Sequence, residues 1–445
     1  MKIVLLSGGS GKRLWPLSND ARSKQFLKVL TDKNGNKQSM AQRVFGQIKE
    51  VFPSIDITVA TNISQVDSIH SQMGDDIDVV IEPQRRDTFP AIALSCAYLA
   101  YEKNVDLNET IIVLPVDPFT EVDFFRELLK LNKLIENEAA DIALVGIKPT
   151  IPTSKYGYIV PDEAIGETAF TVSCFVEKPD EVKASELIKQ GAYWNGGVFA
   201  FKLKYMMKIA KNNVKFDSFS ELQNKYGELE KVSFDYKVVE KADKTAIVPF
   251  KGKWSDIGTW RTLTDEMPVA VSGNVVSERS KNTFVTNELD IPIITLGTKD
   301  LIIAASPDGI LVSDLVESSH LKTIVEKLEY VRPMYEERRW GEYTVISRNE
   351  NSLVKRLNLA KGKSISYQAH RFRDVVWVIT AGKGKFVLDG ETKIVNVGDN
   401  VTIKCGQKHS ILAIEDLSIT EVQIGEILSE ADTVQFSSEN NEVIG

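Results

Sequence analysis

Cysteine is scarce in this chain: Cys96, Cys174 and Cys405 are the only three among 445 residues, and none stands at a C-x-x-C spacing. Such a set builds neither a disulfide framework nor a cysteine zinc site, so reduced thiols are the simple expectation. Positive charge is short as well. With 54 Lys and Arg against 62 Asp and Glu, the formal net charge is −8. That excludes a general nucleic-acid binder, which needs cations clustered over a broad face. Any anionic ligand must instead be met by locally placed cations. Long apolar runs are missing too: the first, residues 3–6, is too short for the core of a secretory signal, and no stretch approaches the ~20 residues of a membrane-spanning helix. A cytoplasmic protein with neither nucleic-acid nor membrane partners is expected. No fixed-period repeat or low-complexity tract is evident, and residues 437–442 read as a solvated tail.

What is present is enough chain for two or three hydrophobic cores. From residue 2 to about 150, short apolar runs (3–6, 57–60, 79–81, 111–114 and 142–145) alternate with segments of helical period. Buried parallel strands and their crossover helices read this way, which predicts an α/β, Rossmann-like doubly wound layer. Helices are expected from Pro90 onward and over 122–136. Residues 155–265 read as a substrate lobe completing the first domain. After Met267 come short β-like runs (291–296, 301–304, 309–312) and a charged helical stretch over 315–330. From Arg339 onward the runs are short and β-branched, with turns at Ala381-Gly-Lys-Gly, Asp389-Gly and Val397-Gly-Asp-Asn, which predicts a small all-β domain. The expected division is 1–265, a β-rich connector with a linker helix over 266–330, and 331–445.

Leu6 and Ser7-Gly8-Gly9-Ser10-Gly11 end the first apolar run, at the carboxyl edge where α/β sheets bind ligands. Three glycines let backbone N–H groups approach phosphate oxygens, and Lys12, Arg13 and Lys24 supply local charge. The plain alternative is a glycine-rich turn without a ligand; the string is neither G-x-G-x-x-G nor G-x-x-x-x-G-K-[ST]. Asp117 closes Ile111-Ile-Val-Leu-Pro-Val-Asp, at the same edge if the strands are parallel. Asp256 sits in the turn-like Trp254-Ser-Asp-Ile-Gly-Thr-Trp. One divalent ion between two carboxylates and nucleotide phosphates is a familiar magnesium arrangement. Singly, each aspartate is more often a cap or turn residue.

The string from Leu5 to Ser18, with Lys24-Gln-Phe-Leu, resembles the signature of the sugar nucleotidyltransferases, and more narrowly of the mannose-1-phosphate guanylyltransferases. Ser23 stands where proline is common and Lys12 where threonine is common. The resemblance implies that Asp117 and Asp256 bind Mg²⁺. It implies further that Glu177 and Lys178 of Phe175-Val-Glu-Lys-Pro take the sugar hydroxyls and sugar phosphate, and that Asn195 and Gly196 of Tyr193-Trp-Asn-Gly-Gly, with Gly157 of Tyr156-Gly-Tyr-Ile, line the sugar side. Glu82, Arg86, Asp87, Thr88 and Pro90 would lie near the base and ribose. They join Leu6, Ser7, Gly8, Gly9, Ser10, Gly11, Lys12, Arg13 and Lys24 as nucleotide-binding residues. Asp87 replaces the usual asparagine and Phe89 the usual alanine, yet a carboxylate can accept from guanine N1–H and N2–H. Ser233–Lys241 would be a lobe-packing element. The implied reaction joins GTP and mannose 1-phosphate into GDP-mannose and pyrophosphate by in-line attack at the α-phosphorus, with Arg13, Lys24 and Lys178 neutralising charge. The same fold acting on UTP or dTTP with glucose 1-phosphate, or a non-catalytic sugar-nucleotide binder, are the alternatives.

Gly362 to Gly384 resembles the metal-binding strands of a cupin, which carries phosphomannose isomerase activity in two-domain guanylyltransferases. Of the pattern Q-x-H-x-H-R-x-E-H-W with a later G-x-x-H, the chain keeps Gln368, His370, Arg373, Trp377 and His409. Phe372, Val375 and Val376 replace a histidine, the glutamate and the last histidine. Two imidazoles fall short of the three or four ligands of a catalytic metal. The expectation is a degenerate cupin-like domain, with His370 and His409 as hydrogen-bonded interior residues. Arg371 and Arg373 remain candidates for a sugar phosphate, and a homodimer is one assembly the resemblance allows.

Overall fold

The computed structural model describes residues 1–9, 12–267, 269–328, 333–429 and 432–436. Ser10 and Gly11 of the loop, and the expected tail 437–442, lie outside the described residues. Nine strands form one sheet: β1 (Lys2–Ser7), β2 (Ile57–Asn62), β3 (Asp78–Glu82), β4 (Thr110–Pro115), β5 (Ile142–Ile147), β6 (Tyr158–Ile165), β7 (Ala169–Val176), β8 (Tyr193–Lys202) and β9 (Thr245–Phe250). Their order is β3-β2-β1-β4-β8-β5-β9-β7-β6. The first four are mutually parallel, as the apolar runs imply. Strand β8 then enters antiparallel to both β4 and β5, so the sheet is mixed. The sequence pattern is doubly wound only where helices cross over; in the lobe β6, β7 and β8 run against their neighbours, whereas β9 pairs in parallel with β5.

All six residues of β5 are buried, and helix Thr88–Tyr101 buries ten of fourteen, so both sit in the core rather than on an amphipathic surface. That helix begins at Thr88 with Asp87 as its cap, placing Pro90 in the first turn, where its missing N–H costs nothing. The helix expected over 122–136 is two, Val122–Arg126 and Leu128–Glu136, divided where the Glu127 N–H bonds the Phe124 carbonyl in a tighter turn.

The chain separates into two compact units: 1–10, 25–66 and 72–268 form the first; 11–24, 67–71 and 269–445 form the second. In the second, Val275–Glu278 pairs in parallel with Ile293–Leu296, and Phe284–Asn287 with Leu301–Ser306. Paired side chains lie 18 residues apart, as in Thr295 Oγ1 to Ser277 Oγ at 2.8 Å and Asn282 Nδ2 to Asp300 Oδ1 at 2.7 Å. The absence of a repeat expected above is thereby corrected: in these stacked coils two successive parallel pairings share an 18-residue offset, while Val271 pairs with Val285 at an offset of 14, too few and too uneven to leave a periodic signal in the sequence. The linker helix is shorter than expected, a 3-10 turn Glu317–His320 and a helix Leu321–Val325. From Tyr335 a six-stranded and a five-stranded sheet enclose one core of Leu357, Val375, Trp377, Ile379, Phe386, Ile411 and neighbours, an all-β, cupin-like barrel. No helix among the described residues is long and apolar enough to cross a membrane.

Leu144 is fully buried in β5 between Phe199 and Ile247. Leu144→Ala is expected to destabilise the first unit by about 2–5 kcal/mol, read as a fall in the urea midpoint of its unfolding transition.

Candidate active site

Strand β1 lies between two parallel neighbours, with Leu6 opposite Pro115 of β4. Just past Pro115 the chain reaches Asp117 and enters the short strand Pro118–Thr120, which pairs antiparallel with Trp254–Asp256. Asp256 faces Pro118 across this ribbon, so the two aspartates, about 140 residues apart in sequence, stand one residue apart in register. Asp256 is therefore a strand residue and not part of a turn; pairing with a segment that no local pattern announces accounts for the difference. The ribbon is held at Thr120, whose Oγ1 donates to the Lys253 carbonyl at 2.8 Å and whose carbonyl accepts from Arg43 Nη2 at 3.0 Å and Gln47 Nε2 at 3.1 Å. Gly258 lies beside the carboxylate: a Cβ there would be in ordinary contact with both Asp256 oxygens, at 3.4 Å.

Among the described residues no three His, Cys, Asp or Glu side chains group as a metal cage. Two aspartates one residue apart in register are nonetheless enough for Mg²⁺, which binds through one or two carboxylates and takes its other ligands from water and substrate phosphates.

Aromatic rings lead from the ribbon to the sugar-side residues. Trp254 meets Tyr156 at 5.5 Å between centroids, and Tyr156 meets Trp194 at 4.9 Å. Next to these rings, the Asn195 N–H donates to the Gly157 carbonyl at 2.8 Å. Glycine is required at 157, because a Cβ would fall 2.5 Å from Glu177 Oε2. Gly196 is as constrained, with the Val145 carbonyl 3.0 Å from where its Cβ would be. Lys178, held at φ 46, reaches Glu177 Oε1 at 2.7 Å. The glutamate side chain is 5% exposed and the lysine 52%, so the cation faces out and the acceptor in. Glu177 Oε2 is buried without a hydrogen-bond partner, as are the indole nitrogens of Trp194 and Trp254. Three buried polar atoms without partners in one cluster are an unusual concentration for a folded interior.

Asp235 belongs to this cluster and was not singled out from sequence, where Ser233–Lys241 reads as packing. It sits on the short helix Phe234–Lys237, capped by Ser233, and its Oδ1 accepts from Asn195 Nδ2 at 2.6 Å. Burial, reinforced by the charge of Glu177, pushes its carboxyl up to about 7. The one signal available was an acid between two aromatics, Phe234 and Tyr236.

The expected base-side residues hold a neighbouring segment. Tyr226 donates to Glu82 at 2.6 Å, Arg86 donates through Nε and Nη2 to the Leu229 carbonyl, and Thr88 Oγ1 accepts from the Phe234 N–H at 2.8 Å. Asp87, at φ 72, caps the helix through Oδ1 to the Thr88 N–H and remains exposed, while Pro90 is buried. At the loop, a buried polar knot joins both ends: Gln25 Nε2 donates to Ser7 Oγ at 3.2 Å, and Ser7 Oγ and Thr61 Oγ1 donate to Gln65 Oε1 at 3.1 and 3.0 Å. Gly8 and Gly9 are exposed with open space about them, Gly9 at φ 138. Lys12, Arg13 and Lys24 belong to the second unit; Arg13 is exposed, and the two lysines are half-buried.

Within the barrel a cavity of about 370 Å³ is lined by Arg338, Lys355, His370, Arg373, Glu421 and Gln423 among others. His370 and His409 are buried, with ring centroids 5.0 Å apart. Phe372 is 55% exposed and Val375 fully buried, so neither missing ligand has a substitute at its own position. Burial lowers the pKa of His409, keeping its ring neutral. Arg373 donates to the Ser429 carbonyl and Thr433 Oγ1.

The Asp235 shift carries a pH dependence. Between about pH 4 and 7 the folded protein holds a proton that the unfolded chain has released, so this group's contribution to stability falls as pH rises through that window and levels off above it. Asp235→Asn keeps the acceptor oxygen and removes the titration. The melting temperature of this variant relative to wild type is expected to rise from pH 5 to pH 8; a constant difference would contradict the shift.

Residues 2–271 match the nucleotidyl transferase family model and residues 327–438 the mannose-6-phosphate isomerase C-terminal model. A mannose-1-phosphate guanylyltransferase of Salmonella montevideo is 31% identical, covering 98% of both chains. One from Escherichia coli K12 is 29% identical over 98% of this chain and 97% of its own. A solved structure from Thermus thermophilus, described as a mannose-1-phosphate geranyltransferase, superposes with a TM-score of 0.62 at 27% identity, covering 74% of this chain and 99% of its own. With the sheet, the paired aspartates and the barrel in place, the chain belongs to the nucleotidyl transferase family, in the two-part form of the mannose-1-phosphate guanylyltransferases.

Proposed function

We propose that the protein transfers the guanylyl group of GTP to mannose 1-phosphate, giving GDP-mannose and pyrophosphate. The observation that carries this reading is the ribbon register that sets Asp256 opposite Pro118 and thus beside Asp117. Likeness to guanylyltransferases along nearly the whole chain supports the choice of substrates. An oxygen of the sugar phosphate attacks the α-phosphorus, and the bond from that phosphorus to the β-bridging oxygen breaks. The attacking oxygen is already ionised, so no general base and no covalent intermediate are needed, and positioning with charge neutralisation supplies the rate. Mg²⁺ held by Asp117 and Asp256 would draw charge from the α-phosphate oxygens as they approach the transition state.

Lys178 exchanges Glu177 for the incoming sugar phosphate, which frees the glutamate to accept from sugar hydroxyls through both oxygens. Asn195, oriented by Asp235, Gly157 and Gly196 line the same side. Arg13 and Lys24 carry the charge for the leaving pyrophosphate, as the family resemblance implies, and Leu6, Ser7, Gly8, Gly9 and Lys12 belong to the phosphate loop. Glu82, Arg86, Asp87, Thr88 and Pro90 form the base side, where the exposed Asp87 is the acceptor for guanine. The free cysteines, Cys96 buried and two exposed, support work in a reducing cytoplasm. We assign transfer to 1–265, the connector to 266–330 and a barrel without isomerase activity to 331–445, with a homodimer through the barrel as the assembly.

Asp117→Ala, Asp256→Ala and Arg13→Ala are each expected to fold and to lose about 10²–10³ in kcat. The check is pyrophosphate release with magnesium removed and restored, and near-wild-type turnover in any of the three would overturn its assigned role. Interconversion of fructose 6-phosphate and mannose 6-phosphate is expected to be undetectable with Zn²⁺, Co²⁺ or Mn²⁺; metal-dependent turnover would restore the barrel to the isomerases.

A further inference from the structure

The phosphate loop is not self-supporting, and its supports come from the far end of the sequence. Within the second unit, Arg22 is buried and forms a two-point ion pair with Glu288, Nη1 to Oε2 at 2.8 Å and Nη2 to Oε1 at 3.0 Å. Its guanidinium also lies over the Tyr335 ring, 4.8 Å from the centroid. Asn19 Nδ2 donates to Asp308 Oδ2 at 2.7 Å and to the Tyr335 carbonyl at 3.3 Å, while Asn19 Oδ1 accepts from the N–H groups of Ala21 and Arg22. Ser306 Oγ donates to the Pro16 carbonyl at 2.6 Å. The Trp15 indole is packed flush on Gly309, where a Cβ would come within 2.5 Å of the ring. Asp308 in turn accepts from the Met334 N–H, and Tyr335 donates to Glu342 on the next barrel strand.

These contacts act on a segment of 13 described residues, 12–24, with no regular helix or strand before its last residue. Such a segment has little internal means of holding one conformation. A bidentate guanidinium–carboxylate pair fixes distance and orientation together, which a single point charge does not. Asp308 performs two tasks at once, orienting Asn19 and tying the start of the barrel, so the coils, the first barrel strand and the loop share one hydrogen-bonded junction.

We propose that Arg22, Glu288, Asp308 and Gly309 are positioning residues for nucleotide binding, and that the coils and barrel serve as a brace fixing the conformation of the loop that carries Lys12, Arg13 and Lys24. This rests on the reading of that loop as the GTP phosphate site. It gives the C-terminal half a task that needs no metal in the barrel.

In the full-length protein, Arg22→Gln and Glu288→Gln each raise the KM for GTP about 10- to 100-fold and leave that for mannose 1-phosphate within about twofold, the scale of misplacing a binding group. Hydrogen exchange of amides in 12–24 accelerates in both. The exchanged pair, Arg22→Glu with Glu288→Arg, recovers GTP affinity and slow exchange relative to the single variants. Gly309→Ala, which presses a methyl against Trp15, shifts GTP KM and loop exchange in the same direction without altering any charge. An unchanged KM for GTP in both single variants, or an equal rise for the two substrates, overturns the brace. If the wild type releases no pyrophosphate from GTP and mannose 1-phosphate, the functional reading fails instead, and exchange in 12–24 then decides the brace alone.

Discussion

The register of β1 against β4 is the constraint on which the rest of the first unit depends. With Leu6 opposite Pro115, both strands end at one edge, so Ser7 at the mouth of the loop and Asp117 after β4 leave the sheet at the same level. Parallel pairing makes this possible, since the carboxyl ends of such strands share an edge and crossover helices carry the chain back. A shift of one residue would turn every side chain of β1 to the opposite face. It would also break the knot of Ser7, Gln25, Thr61 and Gln65, which closes both ends of the loop on one buried amide oxygen.

Along that edge, geometry and electrostatics are set by different elements. The ribbon brings the backbone at Asp256 opposite Pro118, one residue from Asp117. The cluster around Glu177 buries that glutamate and Asp235 near one another and leaves Lys178 as the exposed counter-charge. Asp235 yields first, its carboxyl raised toward neutrality, and Asn195 is held between that carboxyl and the Gly197 N–H, which donates to Asn195 Oδ1 at 3.0 Å. A side-chain amide fixed through both ends presents a single orientation to a ligand.

What could be read from sequence was whatever is local. The apolar runs of β1 to β5, the glycines after β1 and the motifs around Asp117, Glu177, Asn195 and Asp256 each declare themselves within about ten residues. Pairings between distant segments do not. Asp235 looked like packing because its partner Asn195 lies 40 residues away, and Asn19, Arg22 and Pro16 looked like ordinary loop residues because their partners lie 289, 266 and 290 residues away. The coils escaped notice for a related reason: an 18-residue spacing used so briefly leaves no period, although each pairing is regular. At Asp87 the sequence showed only an altered base-side residue, whereas its left-handed backbone and capping bond show a side chain whose first duty is to start a helix.

The barrel keeps a cupin-like fold with Phe372 and Val375 at positions where the resembled pattern has a histidine and a glutamate. Val375 is a fully buried apolar group, which suits packing where a charge would not. The polar groups that remain are mostly bonded to one another: Trp377 Nε1 and Gln423 Nε2 donate to the two oxygens of Glu421, each at 2.7 Å, and Thr433 Oγ1 meets His370 Nδ1 at 3.3 Å. Each Glu421 oxygen is thus oriented by a donor, and the His409 ring meets the Trp377 indole edge-on at 5.4 Å. The domain's first strand reaches the loop through Tyr335. The brace depends on the barrel's first strand and not on the chemistry of its cavity, so a rigid loop needs the scaffold whatever the cavity holds.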